Sequence, residues 1–296
     1  MSFIEVQAPG LLTTVQDLGR PGYGPIGVSA CGAADTTALR VANRLVGNPE
    51  SAAGLEMTLQ GGQFLFPEGA VVALGGSDFG VPVWQSFAVA PGEVLRIGRS
   101  LSGARCYLCV RGGIRVPLVM GSASTDLVSG LGGFEGRALR RGDRLEIGEV
   151  TGEVAWRRVE VPQRRDVFPV TDGPQVDWFT AETVTAFYSG AYTVTADVNR
   201  MGIRLAGAAL ALAVSRELIT EGVALGCIQV PSAGQPVILF VEQQTTGGYP
   251  KIANVIAADL PALGQLKPGD KIRFERVDLR EARELLYIQE RWIRSI

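Results

Sequence analysis

The chain has 296 residues, 46% apolar and 20% charged, with a formal net charge of −2. It is too apolar for a disordered chain, and too near neutrality to be drawn as a whole to nucleic acid or to an anionic membrane. Histidine is absent, which excludes a Ser-His-Asp triad, a Cys-His dyad and an HExxH zinc site, and leaves proton transfer to Asp, Glu, Lys, Tyr, Cys or water.

The 38 glycines and 16 prolines predict short strands and tight turns rather than long helices. Met1 to Gly10 has no basic or apolar leader region, so no signal peptide is expected. No run approaches the length of a membrane span. The expected location is cytoplasmic, with the four cysteines reduced.

The first polar segment is Thr13-Thr14-Val15-Gln16-Asp17-Leu18-Gly19-Arg20-Pro21-Gly22, either a ligand loop or a turn in which Asp17 and Arg20 satisfy backbone groups. Asp35 is placed to cap a helix with Ala38, Leu39, Ala42, Leu45 and Val46 on one face, stopped by Gly47. Leu55 to Leu59 alternates as a strand does, and Val71 to Leu74 reads as a strand ending in Gly75-Gly76. Cys106 and Cys109 form a CxxC inside a strand pattern. Residues i and i+3 of a strand point to opposite faces, so packing is expected rather than metal binding. Gly121-Ser122-Ala123-Ser124-Thr125-Asp126 could hold an anion, but a helix cap at Leu127 is the expected role. Gly130 to Gly136 lacks the dinucleotide-binding spacing.

A turn-then-strand unit appears three times, over Pro91–Ile97, Arg141–Ile147 and Pro268–Phe274. The double glycines Gly112-Gly113 and Gly247-Gly248 are a second echo, and together these suggest two related β modules. The boundaries read as 1–150 and 169–296. The connection, 151–168, is marked by Pro162 and Arg164-Arg165. A helix is predicted over Val176–Tyr188. A second follows the capping box of Asp278 and Glu281, with Leu279, Ala282, Leu286 and Ile293 as its buried stripe. Val237 to Val241 should be a buried strand.

Two further segments could carry chemistry. In Asn199-Arg200-Met201-Gly202-Ile203-Arg204, two arginines flank a glycine and could clamp a carboxylate or phosphate, although a structural ion pair would equally account for Arg204. In Gln243-Gln244-Thr245-Thr246-Gly247-Gly248-Tyr249-Pro250-Lys251, hydroxyls, exposed backbone N–H groups and a lysine follow a strand. This is the favoured site. Gln229, between Ile228 and Val230, should face away from both and could line a barrel mouth. The chain has no phosphate-binding P-loop and no biotin-attachment stretch.

Taken in order, Thr13-Thr14-Val15-Gln16-Asp17, Cys31-Gly32-Ala33-Ala34-Asp35, Asn43-Arg44-Leu45-Val46-Gly47-Asn48, Gly121 to Leu127, Leu131 to Arg137, Asn199-Arg200-Met201-Gly202 and Gln244 to Ala253 resemble one family over nearly the whole chain. It is the allophanate hydrolase subunit 2, or carboxyltransferase subdomain, family. Its members include the 5-oxoprolinase C subunit, the antagonist KipA and half of the urea carboxylase carboxyltransferase domain.

The resemblance implies a mainly β protein with a few helices and a cyclophilin-like β-barrel architecture in two subdomains. It implies a subunit of an ATP-hydrolysing complex that opens 5-oxoproline to L-glutamate. ATP then belongs to the complex, and no covalent biotin or metal to this chain. The implied partners are a B-type subunit (allophanate hydrolase subunit 1 or KipI-like) and an A-type subunit (LamB/YcsF-like). Half of a biotin-dependent carboxyltransferase and a KipA-like regulator remain alternatives. For the lactam chemistry, Lys251 and Arg200 are expected as catalytic cations. Asn199, Arg204, Gln229, Gln244, Thr245, Thr246 and Tyr249 are the expected substrate-binding groups. Ala30 and Gln175 stand where some relatives have histidine, Ile203 replaces a frequent tyrosine, and Glu242-Gln243 replaces a more usual pair.

Overall fold

A computed structural model describes residues 2–150, 156–160, 163, 165–213 and 216–296. Pro162 and Arg164 lie outside the described residues. The chain divides into two compact units. The first holds Met1–Arg20, Cys31–Pro162 and Ile293–Ile296, and the second holds Pro21–Ala30 and Gln163–Trp292.

The first unit begins with β1 (Phe3–Ala8), β2 (Leu12–Gln16), α1 (Thr36–Leu45), β3 (Gly54–Thr58), β4 (Gln63–Phe66) and β5 (Ala70–Gly76). It continues with β6 (Gln85–Val89), β7 (Glu93–Arg96), β8 (Arg105–Val110), β9 (Ile114–Arg115) and β10 (Arg144–Ile147). These strands form two five-stranded sheets, ordered β7-β4-β1-β10-β9 and β2-β3-β8-β5-β6. Leu55 and Met57 of β3, Cys106, Leu108 and Val110 of β8, and Ile4 and Val6 of β1 share one core.

The other face of the second sheet lies under α1. Asp35 caps that helix, accepting a hydrogen bond from the Ala38 N–H at 2.9 Å. Gly47 follows the helix in the left-handed conformation expected of a stop. Covering both faces explains why Glu56 of β3, which alternation would place outside, is buried. Its carboxylate accepts from the Ala34 N–H at 2.9 Å and the Tyr107 hydroxyl at 2.7 Å, and pairs with Arg105 at 3.3 Å.

The second unit contains β11 (Val167–Asp172), α2 (Ala181–Ser189), β12 (Tyr192–Val194), β13 (Gly202–Ala206), β14 (Glu221–Gly222) and β15 (Cys227–Gln229). After these come β16 (Val237–Leu239), β17 (Thr246–Gly247), β18 (Lys251–Val255), α3 (Leu260–Leu263), β19 (Lys271–Arg276) and α4 (Leu279–Arg294). Seven strands close a barrel in the order β11-β18-β15-β16-β13-β12-β19, while β14 and β17 form a separate two-stranded ribbon. Closure removes the exposed edges that so many short strands would otherwise leave. The mainly β reading with a few helices and a barrel therefore holds.

Several local expectations need correction. The helix predicted over Val176–Tyr188 is a short 3₁₀ turn, Val176–Trp178, followed by a break and then α2. Extended backbone at Phe179 and Thr180 interrupts it, because the Thr180 hydroxyl accepts from the Thr183 N–H and starts a new helix. No helix follows Asp126: its carboxylate closes a turn on the N–H groups of Val128 (3.0 Å) and Ser129 (3.2 Å). In α4 the Asp278 cap forms at 2.8 Å on the Glu281 N–H, and Ala282 and Leu286 pack on Ile256, Ala258 and Val277. Leu279, expected in the buried stripe, is exposed.

Part of the stretch read as a connection is also ordered. Val159 N–H donates to Trp84 O and Ser86 N–H donates to Arg157 O, each at 2.9 Å, which lays this chain along β6.

Candidate functional site

Asp17 and Arg20 behave as structural groups. The Asp17 carboxylate accepts from the N–H groups of Gly19 (2.7 Å) and Ala123 (2.6 Å) and from the hydroxyls of Ser122 (2.6 Å) and Ser124 (2.5 Å). Arg20 donates to the backbone oxygens of Ser124 and Val119. The four cysteines are buried and not joined in disulfides. Cys106 packs in the sheet core while the Cys109 sulfur faces Leu39 O at 3.8 Å on the helix side, so the pair points to opposite faces.

The remaining predicted site residues lie in the second unit. Asn199 forms a turn into β13, its side-chain oxygen accepting from the N–H groups of Met201 (2.9 Å) and Gly202 (3.1 Å). That turn buries Arg200, whose Nε meets the Glu242 carboxylate at 2.5 Å. The backbone closes the same contact, Glu242 N–H donating to Arg200 O at 2.8 Å. The charge of Arg200 is thus already matched by a buried carboxylate. Arg204 is exposed and donates to Asp197 O at 3.1 Å, a backbone contact rather than an ion pair.

Lys251 opens β18 and is 3% exposed. Its ammonium pairs with Glu221 at the start of β14. Gln175 brackets this pair. Its side-chain oxygen accepts the Lys251 N–H at 3.1 Å, and its Nε2 donates to the Glu221 carboxylate at 3.0 Å. The hydrogen bond from Lys251, followed by that from Gln175, holds the Glu221 carboxyl below its ordinary value against a smaller opposing effect of burial.

Gln229 ends β15, pairs with Lys251 at a β-bulge between β15 and β18, and is 2% exposed. Its Nε2 is buried with no hydrogen-bond partner among the described residues. A Cβ at Gly247 would lie 2.6 Å from that nitrogen and 3.0 Å from Gln244 Nε2, so a side chain there would push the two amides aside. Cys227 shares the Gln229 face of β15. Burial pushes its thiol up to about 12, with Lys251 pulling it down and Glu221 pushing it up.

The β14–β17 ribbon ties these pieces together. Glu221 pairs with Gly247 and Gly222 with Thr246. Val223 N–H donates to Thr245 O at 3.1 Å, and Val223 O accepts from Gln243 Nε2 at 3.1 Å. Gln244 and Tyr249 are exposed along the same run. The structure therefore sets Gln229 and Gln244 against Gly247, with Lys251 paired with Gln229 between strands and with Glu221 by charge. Thr245 and Thr246 sit in the ribbon, and Arg200 and Asn199 in a neighbouring turn tied to Glu242.

Sequence reasoning missed Glu221 and Glu242 as partners of the two cations. Glu242 carried a signal, as a departure from the family pattern beside Gln243, and so did Gln175. Glu221 carried none, being a polar residue in a two-residue strand far from Lys251 in the chain.

Residues 26–276 match the family described as carboxyltransferase domain, subdomain A and B. The chain is 39% identical to the 5-oxoprolinase C subunit of Escherichia coli (strain K12), over 99% of this chain and 97% of that one. The same-named Haemophilus influenzae protein is 38% identical, over 92% and 90%. The crystal structure of the Kluyveromyces lactis urea carboxylase superposes with a TM-score of 0.90 and 32% identity over 99% of this chain. This chain spans 29% of the length of that enzyme. With a barrel and paired sheets that superpose on a carboxylase and a family match over most of its length, this chain belongs to the carboxyltransferase-domain family, subdomains A and B.

Proposed function

We propose that this chain is the C-type subunit of a multi-subunit 5-oxoprolinase, which opens the lactam of 5-oxoproline to L-glutamate with ATP hydrolysis. It would act with a B-type (allophanate hydrolase subunit 1-like) and an A-type (LamB/YcsF-like) subunit. The observation that carries this reading is likeness to two bacterial 5-oxoprolinase C subunits over nine-tenths or more of both partners.

A lactam carbonyl is a poor electrophile. Phosphorylation of its oxygen by ATP makes the carbon reactive. One water then adds, the ring C–N bond breaks as the nitrogen takes up a proton, and a second water displaces phosphate from the acyl phosphate so formed to leave the carboxylate. Such chemistry needs fixed positive charge and hydrogen-bond donors at the substrate. On this reading Lys251 supplies the charge and Gln229 a free N–H donor. Gln244, Thr245, Thr246 and Tyr249 form the wall beside them. Arg200, already paired with Glu242, positions the Asn199 turn, and Arg204 stays at the surface. The chain has no P-loop of its own, so ATP is assigned to the assembled complex.

The test is Lys251→Ala in the complex reconstituted with the B- and A-type proteins, followed by 5-oxoproline-dependent ATP hydrolysis. The coupled rate should fall by about 100-fold. An unchanged rate would remove Lys251 from the mechanism.

A second reading is favoured by the superposition on urea carboxylase. Here the chain is one half of a carboxyltransferase that takes CO₂ from carboxybiotin on another protein and delivers it to an amide. Bicarbonate- and biotin-dependent turnover of a urea-like amide, with none of 5-oxoproline, would select it.

A further inference from the structure

Lys251 and Glu221 make an unequal pair. The Lys251 side chain is 4% exposed and lies in a closed barrel, whereas the Glu221 side chain is 41% exposed. Glu221 belongs to a ribbon in which two residues pair with two, outside the barrel ladder. A buried ammonium needs a counter-charge, and losing one is costly. Here the counter-charge is supplied from the solvent side, by one of the shortest strands of the unit.

Beside this pair the Gln229 Nε2 is buried and unpartnered. A buried donor left unmade costs free energy and calls for an explanation. Gln229 and Lys251 are paired between antiparallel strands at a β-bulge, where the register shifts by one residue and Ile252 is the extra residue. One charged and one neutral donor on paired strands suit a carboxylate with a carbonyl oxygen within reach, and Glu221 supplies only the counter-charge.

We propose that Lys251 and Gln229 form a subsite for a small carboxylate that also bears an amide carbonyl oxygen within reach, closed by the Glu221 carboxylate acting as a latch. The incoming carboxylate takes the place of Glu221 on Lys251 as the β14–β17 ribbon moves away, and its carbonyl oxygen accepts from Gln229. The inference rests on the reading of Lys251 as an anion-binding group and deepens it. Two carboxylates cannot share one ammonium in a buried site without strong repulsion, so binding and latch release are one exchange. Gln175 links the two groups, since it bonds both the Lys251 backbone and the Glu221 carboxylate.

The latch is tested by Glu221→Gln, which removes the charge but keeps an oxygen for Gln175. The full chain is titrated calorimetrically with sodium acetate and sodium 5-oxoproline. Glu221→Gln should bind acetate about tenfold more tightly than the native chain, the double variant Glu221→Gln/Lys251→Ala should bind none, and 5-oxoproline should bind Glu221→Gln more tightly than acetate does. Glu221→Gln/Gln229→Leu should erase that last preference while keeping the acetate affinity. Equal acetate affinity in native and Glu221→Gln chains overturns the latch, and binding that survives loss of Lys251 overturns the subsite. Should Glu221→Gln fail to fold, Glu221→Ala, a truncation at a partly exposed side chain, carries the same comparison. Acetate behaving as expected while the complex shows no 5-oxoproline-dependent ATP hydrolysis would support the latch and overturn the 5-oxoprolinase reading.

Discussion

Gln229 is the residue whose chemistry is least explained by folding. It is almost fully buried in a barrel strand, yet its Nε2 lacks a partner among the described residues. A donor that makes no bond in the native state contributes nothing to stability through that bond and pays for its own desolvation. Replacing it with an apolar residue of similar size should therefore cost little. Gln229→Leu is expected to change the unfolding free energy by no more than about 1 kcal/mol, or to raise it, while lowering 5-oxoproline-dependent activity of the complex. Chemical denaturation and the coupled assay read the two effects separately. A loss of several kcal/mol would show that the amide is held after all. Gly247 is part of the same argument, since any side chain there would fill the space against Nε2.

At the scale of elements, what was legible in the sequence is what local chemistry decides. The Asp35 cap, the apolar face of α1 and the Gly47 stop are all encoded within a dozen residues, and all three form. The three turn-then-strand units became β7, β10 and β19, with left-handed glycines at 92, 142 and 269. Where a capping residue competed with a continuous helical pattern, at Thr180, the cap won and the predicted helix split. At Asp126 the same side chain that can start a helix closed a turn. The Lys251–Glu221 contact was illegible because it spans distant positions and rests on a two-residue strand with no periodicity of its own. Close packing of α1 on its sheet gives a direct test. A Cβ at Gly75 would stand 2.4 Å from Ala38 O in the helix backbone. Gly75→Ala should destabilise the first unit by about 1–3 kcal/mol, seen as an earlier thermal transition. An unchanged transition would mean that α1 shifts on β5 at no cost.

At the scale of the whole molecule, the absence of histidine leaves no imidazole to titrate near neutrality. The alkaline side is different. Burial pushes the thiols of Cys106 and Cys109 well above their ordinary 9.0, and that of Cys227 to about 12. Burial, reinforced by the charge of Glu56, also holds the Tyr107 phenol well above its usual value. In the unfolded chain these thiols ionise above 9.0, while in the folded chain they stay protonated. The native state then binds more protons than the unfolded one, and stability falls as pH rises. The contribution is intact below the ordinary thiol value and declines above it by about 1.4 kcal/mol per pH unit for each thiol. The two cysteines of β8 together should therefore lower the stability of the first unit by about 2 kcal/mol between about pH 9 and about pH 10, since at about pH 9 each unfolded thiol is only half ionised. Urea unfolding across that range measures the slope, and Cys109→Ala should reduce it by about one proton's worth whatever it does to the absolute stability. A slope that Cys109→Ala leaves unchanged would mean that this thiol ionises as readily in the folded sheet as in the open chain, against its complete burial between β3, β5 and α1.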